Sequence, residues 1–146
     1  MVRPGAPEQA GTVADGPRLE PGAEVVMLSV PSLAAYGRLA RVAASGLLIR
    51  HGFSYAELED LRLAVDEAII LLLGRADHVG RIHVRFGFDD DGVFVEAVAE
   101  FDEDRHLWTD EATARFRRLV TELVDDVSLD ADHGRVALRK HRSAAA

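Results

Sequence analysis

The sequence predicts a two-layer α+β sandwich, in which helices cover one face of a mixed sheet. Helical and strand-like hydrophobic patterns follow one another in the order β, α, α, β, β, α, β, β. The chain has 146 residues, of which 48% are hydrophobic and 29% are charged, as is typical of one globular domain. Packing the helices on one sheet face is the simplest way to bury the apolar sides of both.

The limits of the domain follow from a change in composition near residue 23. Residues 1–22 hold four of the five prolines and four of the twelve glycines, with few large apolar side chains. Such a segment cannot bury enough surface to offset the entropy lost on ordering, so we expect a disordered tail. The domain is predicted over residues 23–142, followed by a short tail at residues 143–146.

The first two elements are predicted to be a strand and a helix. Apolar and β-branched residues from Glu24 to Val30 predict the strand, and Pro31 ends it. Ser32 is expected to cap a helix that reaches about Arg50, with apolar residues at helical spacing on its inner face.

The second helix has the clearest local signal. Ser54 and Glu57 have the spacing of a capping box, which predicts a helix that begins at residue 55. From Ala68 to Leu73 this helix is apolar on every side, so its end is predicted to be deeply buried. That run has six residues, far fewer than the roughly 20 that a membrane span needs.

Alternating patterns predict two strands joined by a tight turn. Arg81–Phe88 and Val93–Phe101 are the strands, and residues 89–92 form the turn, whose glycine can adopt positive φ. The three aspartates of the turn are interpreted as turn residues, because aspartate side chains bond the backbone of tight turns.

A third helix and a last hairpin complete the domain. Thr109 is expected to cap a helix that continues to about Val124. Residues 127–129 and 135–139 are predicted to pair as the final two strands.

The composition excludes several classes of function. The chain has no cysteine, which excludes disulfides, thiolate nucleophiles and cysteine-ligated zinc. The formal net charge of −8 disfavours nucleic-acid binding, which needs a basic face, and suits a basic protein partner better. Because no signal-peptide pattern and no apolar run of membrane length is present, we expect a cytoplasmic protein.

No metal site is predicted. The six histidines are scattered, and none forms the His-x-x-x-His pair of a helical zinc site. Acidic residues alternate within residues 126–132, but that segment lacks the central glycine and the final glutamate of a calcium loop.

The second helix also carries a motif. Residues 60–68, Asp-Leu-Arg-Leu-Ala-Val-Asp-Glu-Ala, resemble a helix of the GHKL ATPase superfamily in its RsbW-type branch. Proteins of that branch are anti-sigma factors that are also serine/threonine kinases. In their pattern a glutamate is the general base, and an asparagine four residues later supplies an oxygen to the Mg²⁺ of ATP. The resemblance places Glu67 at the position of the base.

Two further segments resemble the same family. Arg41 lies in a helix similar to the one from which a family arginine contacts the partner protein, and Arg38 is nearby. The family's last hairpin is similar to residues 125–130 together with Gly134, Leu138, Lys140 and His141. The resemblance covers about residues 24–142 and implies the histidine-kinase-like ATPase fold.

Three departures from the family pattern concern the nucleotide. Leu71 stands where the metal-binding asparagine belongs, and leucine offers no oxygen to magnesium. Glu100 is near the position that reads adenine, but no Gly-x-Gly turn follows it, and carboxylates at residues 102–104 would repel a triphosphate. Residues 101–133 contain no glycine, although the family's lid uses glycines where backbone N–H groups approach phosphate.

The resemblance and its departures together imply an anti-sigma factor without a cofactor. We expect the chain to sequester a sigma factor through the first helix, with Arg41 and Arg38 at the contact, until an anti-sigma factor antagonist releases it. Glu67 would then be a vestigial base. The family also implies a homodimer.

Two alternatives stay open. One is a kinase that uses ATP and Mg²⁺, retains roles for Glu67 and Glu100, and phosphorylates a serine of the antagonist. The other is a homodimeric interaction module with a partner other than a sigma factor, paired through the apolar strand at residues 25–30.

Overall fold

The computed structural model of the protein describes residues 24–74, 80–101 and 108–143. The predicted tail at residues 1–22, the acidic loop at 102–104 and residues 144–146 lie outside the described residues. Strands and helices follow in the predicted order: β1 Glu24–Pro31, α1 Ala34–Arg50, α2 Tyr55–Leu73, β2 Gly80–Phe88, β3 Gly92–Phe101, α3 Asp110–Val120, β4 Asp126–Asp130 and β5 Arg135–His141.

The described strands form one five-stranded sheet in the order β1-β2-β3-β5-β4. Every neighbouring pair in it is antiparallel, so the expectation of a mixed sheet was wrong. The reason is that each successive element reverses the direction of the chain. Because two helices separate β1 from β2, and α3 with β4 separates β3 from β5, each strand meets a neighbour of opposite direction.

The helices pack on one face of this sheet, which confirms the predicted two-layer α+β sandwich. Alternate residues of β2 and β3 point towards the helices, as their period-two pattern requires. The largest buried side chains at the interface between the layers are Phe86, Phe116, Leu48, Leu61, Leu72, Ile82 and Leu138. Within the described ranges, no helix is both long enough and apolar enough to cross a membrane.

Local capping signals fix two of the three helix starts. In α2, Ser54 Oγ accepts from the N–H of Glu57 at 3.1 Å, and Glu57 Oε1 accepts from the N–H of Ser54 at 2.8 Å. Thr109 caps α3 by a single bond, in which its Oγ1 accepts from the N–H of Ala112. The cap predicted for α1 was wrong, since its N-cap residue is Leu33 and the N–H of Ser32 donates to the carbonyl of Gly80.

The third helix is shorter than predicted. It ends at Val120 rather than near Val124, and the following residues form a turn that buries the side chain of Val124. Lys140 stabilises this turn, because its Nζ donates to the carbonyl oxygen of Leu123 at 2.7 Å. A cation is favourable at the carboxyl end of a helix, where unpaired carbonyls concentrate negative charge.

The sheet face opposite the helices is covered by ion pairs. Glu96 on β3 lies between Arg85 on β2 and Arg135 on β5. It accepts a hydrogen bond from Arg135 and forms an ion pair with Arg85. Nearby, Arg139 Nη2 lies 2.7 Å from Asp89 Oδ1, and both side chains are buried. These pairs neutralise the charges that the strands bring to this face.

Candidate functional site

The family-like motif lies on the flank of α2 that faces α3. Glu67 is about one-fifth exposed, with 19% of its side-chain surface open to solvent. Leu71, one helical turn further on, is 5% exposed and packs in the hydrophobic core. Four residues of the apolar run are buried as predicted, namely Ala68, Ile69, Leu71 and Leu72, but Ile70 is 48% exposed, so the helix end is not buried on every side.

Position 71 therefore offers nothing to a metal ion. Magnesium requires oxygen ligands in octahedral geometry, and a leucine side chain buried among core residues supplies no oxygen. The α2 residues present do not fit the magnesium–nucleotide arrangement that the family resemblance implies. Among the described residues, no group of three or more histidine, aspartate or glutamate side chains is placed to hold a metal ion.

Glu67 is paired with an arginine that the sequence did not indicate. Arg115 on α3 donates from Nη1 to Glu67 Oε1 at 2.7 Å. The side chain of Arg115 is half exposed, so the pair lies at the rim of the α2–α3 contact rather than in the core. A general base needs an oxygen that can reach the proton it removes, and Oε1 already accepts this charge-assisted bond.

Packing of α3 places Arg115 against α2. Phe116 and Val120 are buried on the inner side of α3 and hold the helix against the core. Arg115 directly precedes Phe116, so it lies beside the buried face and reaches across to α2. A basic residue next to a buried aromatic is a weak signal, and Arg115 lies 48 positions after Glu67, too far for a local sequence pattern to indicate the pair.

A second cation pairs with the same flank of α2. Lys140 Nζ lies 3.5 Å from Oδ2 of Asp60, which is two helical turns before Glu67. Lys140 is mostly buried, with 12% of its side chain exposed. The resemblance of the last hairpin to the family thus includes a lysine that ties β5 to α2 and to the end of α3.

The structure does not bring Glu100 and Glu67 together. Glu100 lies on the sheet face opposite the helices, where its Oε1 is 3.3 Å from Nε2 of His83. Its neighbour Ala99 points to the helical side instead. The role of Glu100 beside a nucleotide stays a prediction.

The two arginines predicted for partner contact differ in their surroundings. Arg41 Nη1 lies 3.4 Å from Oδ2 of Asp66, so it joins α1 to α2, and both side chains are about one-third exposed. Arg38, one turn earlier on α1, is exposed. The close approach of the two helices is made possible by Gly37, where a Cβ would lie 2.7 Å from a methyl carbon of Ile69.

Comparison with known proteins finds relatives named serine-protein kinase RsbW. No protein-family model matches the chain. The serine-protein kinase RsbW of Oceanobacillus iheyensis is 29% identical over 129 residues, which cover 76% of this chain and 82% of that protein. The chain is therefore similar in sequence to RsbW serine-protein kinases over about half to three quarters of its length.

Other RsbW relatives match a shorter segment. RsbW of Bacillus subtilis is 34% identical over 83 residues, or 55% of this chain and 52% of that protein. RsbW of Bacillus cereus strain B4264 is 30% identical over 76 residues, or 51% of this chain and 48% of that protein. The matched segment thus spans about half the length of these two relatives.

Proposed function

We propose that this protein, which is similar in sequence to RsbW, is an anti-sigma factor that binds and sequesters a sigma factor without depending on a nucleotide. The proposal is supported by the environment of two motif residues on α2. Glu67 is paired with Arg115, and Leu71 is buried at the position where the family pattern has a metal ligand. The relationship to RsbW supports a regulatory protein, and these two residues support regulation by binding alone.

The mechanism is occlusion. Helix α1 lies at the surface with Arg38 exposed and Arg41 anchored by Asp66, and it covers the sigma-factor surface that would otherwise meet RNA polymerase. Release requires an anti-sigma factor antagonist that competes for the same surface. Since the proposed release involves no phosphoryl transfer, the affinities and concentrations of the sigma factor and the antagonist determine which of them is bound.

Capture of a sigma factor tests this function. Each sigma factor of the source cell is purified and mixed with the immobilised protein at micromolar concentration, once with and once without ATP and Mg²⁺. We expect capture of at least one sigma factor, with equal yield in both conditions. Failure to capture any of them contradicts the proposal, and capture only with nucleotide contradicts the independence from a cofactor.

Nucleotide binding is tested separately by thermal unfolding. A ligand present at one hundred times its Kd stabilises the folded state by about 2.7 kcal/mol, which shifts the melting temperature by several degrees in a domain of this size. We expect no shift with ATP, ADP or either nucleotide with Mg²⁺. A reproducible upward shift with Mg²⁺ and ATP means that the site on α2 still binds nucleotide.

The second candidate function is the kinase, which the retained carboxylate of Glu67 and the names of the relatives favour. In that reaction the γ-phosphoryl group of ATP passes to a serine hydroxyl of the antagonist, and ADP and a proton are released. Incubation with labelled ATP and purified antagonist decides between the two functions. Label on the antagonist that is lost in Glu67→Gln supports the kinase, and absence of label supports sequestration.

The third candidate is a homodimeric module with a different partner. Strand β1 is an edge of the sheet and exposes Val25 and Met27, and such edges pair readily with another strand. Sedimentation tests the dimer, and the sigma-factor capture above decides the partner. A stable dimer that captures no sigma factor favours this third function.

A further inference from the structure

The outward face of α1 is apolar although it lies opposite the core. Leu39, Val42 and Ile49 are 46%, 64% and 68% exposed, and Gly46 between them is exposed as well. At 100° per residue these positions fall within about 40° of one line along the helix, directly opposite the buried residues of α1. We call this line, Leu39–Val42–Gly46–Ile49, the outer stripe.

The outer stripe lies between positive charges. Arg38 and Arg50 project roughly 60° to either side of it, and Arg41 lies further round towards α2. The seventeen residues of α1 include these three arginines and no aspartate or glutamate. This helix is therefore locally basic in a chain whose formal net charge is −8.

We infer that the outer stripe is a docking surface for an acidic amphipathic helix of a protein partner. The stripe is about 15 Å long, which matches three turns of a helix that presents apolar residues at i, i+3 or i+4, and i+7. Carboxylates on either side of that apolar row would meet Arg38 and Arg50. The inference rests on the proposed function, in which a protein partner binds through α1. It adds that the part of the partner in contact with α1 is an acidic amphipathic helix.

The same charges disfavour a second copy of this chain as the occupant. In a symmetric pair each helix would lie against its own copy, so the arginines of one copy would face those of the other. Like charges brought together across an interface oppose association. An acidic helix instead removes the apolar surface from water and neutralises both flanking arginines.

The test measures binding of the purified sigma factors by titration against variants of the full chain. Val42→Glu with Ile49→Glu places carboxylates on the outer stripe, and both positions are exposed enough to leave the fold intact. Met27→Glu is the matched control, because Met27 is 69% exposed but belongs to β1. We expect the double variant to bind at least thirty-fold more weakly, and the control to bind like the original protein.

A charge variant tests the flanking arginines. Arg38→Glu with Arg50→Glu is expected to weaken binding at least ten-fold, and the loss should shrink at high salt, where the arginines of the original protein are screened. Circular dichroism and thermal unfolding of each variant show whether it is folded.

The outcomes separate the inference from the function on which it rests. If the original protein binds no sigma factor, the proposed function fails and the inference fails with it. If it binds one and the double variant binds equally well, the inference alone is wrong. If the original protein sediments as a dimer that the double variant dissociates, a second copy covers the stripe and the inference is also overturned.

Discussion

Arg115 on α3 donates a hydrogen bond to Glu67 on α2 across 2.7 Å. This contact joins the acidic residue of a family-like motif to a helix that begins 43 residues later in the chain. It gives Glu67 a structural partner, so the retention of a glutamate at this position does not require catalysis.

Loss of the Arg115–Glu67 pair is expected to reduce stability moderately. A double-mutant cycle with Arg115→Ala and Glu67→Gln should give a coupling of about 0.5–1 kcal/mol, because the half-exposed Arg115 leaves the pair partly screened by solvent. Urea unfolding measures each variant. Arg118→Ala, at an exposed position of the same helix, should show no coupling to Glu67→Gln. A coupling near zero between Arg115 and Glu67 means that the pair contributes nothing to folding.

Leu71→Asn restores the residue type of the family pattern at a buried position. We expect a loss of about 2–4 kcal/mol, because the change removes core packing and buries an amide. It should not create binding of Mg²⁺ and ATP. The control is Ile70→Asn, which alters the preceding, half-exposed residue and should cost less than about 1 kcal/mol. A Leu71→Asn protein that is stable and gains nucleotide binding contradicts this account.

Two glycines of α1 should respond in opposite directions to alanine. At Gly37 the added methyl group would lie 2.7 Å from Ile69, so Gly37→Ala is expected to separate α1 from α2 and to cost about 1–3 kcal/mol. At Gly46 no atom lies within 4 Å of the new Cβ. Gly46→Ala should therefore stabilise the helix by about 0.5–1 kcal/mol. Thermal unfolding of both variants measures the contrast, and equal effects would show that the two helices are not closely packed at Gly37.

The pair between Asp89 and Arg139 should make stability depend on pH. Burial alone would raise the pKa of Asp89, but hydrogen bonds from Arg139 and from the N–H groups of Asp91 and Gly92 hold this pKa below its ordinary value. A lowered pKa in the folded state stabilises the protein above the ordinary aspartate pKa, which is near 4. That contribution is lost as the pH falls from about 4 through the lower pKa of the folded state.

Asp89→Asn separates this contribution from those of other carboxylates. At pH 7 the variant should be less stable by about 3 kcal/mol, since Arg139 keeps its charge in a buried position. The difference from the original protein should shrink as the pH is lowered below 4. Urea unfolding from pH 7 to pH 2 measures it, with Asp90→Asn at the exposed neighbouring position as the control. A difference that does not change with pH contradicts the assignment to Asp89.

Much of the fold was predictable because it depends on local patterns. The capping box at Ser54 and Glu57 indicated where α2 begins, and the period-two pattern of β2 gave its buried face. The sheet was predicted incorrectly to contain both parallel and antiparallel pairs. Local patterns do not indicate which strands become neighbours, and so do not give their relative direction. The start of α1 was also missed, since no side chain caps it.

The candidate site was predictable only in part. The burial of Leu71 followed from the apolar run around it, but the placement of Glu100 did not follow from the pattern of β3. That strand has apolar residues on both faces near its start, so only its register with β2 places Glu100 beside His83, away from the helices.

The sequence by itself determined the elements, their order and the likeness to the RsbW family, because capping, periodicity and motif spacing are properties of neighbouring residues. The tertiary structure alone decided that Arg115 pairs with Glu67, that Asp66 anchors Arg41, and that the outer stripe of α1 is uncovered within the described residues. These features depend on which faces of distant segments meet. Tertiary packing of the helices against the sheet determines these contacts, and the local sequence pattern does not indicate them.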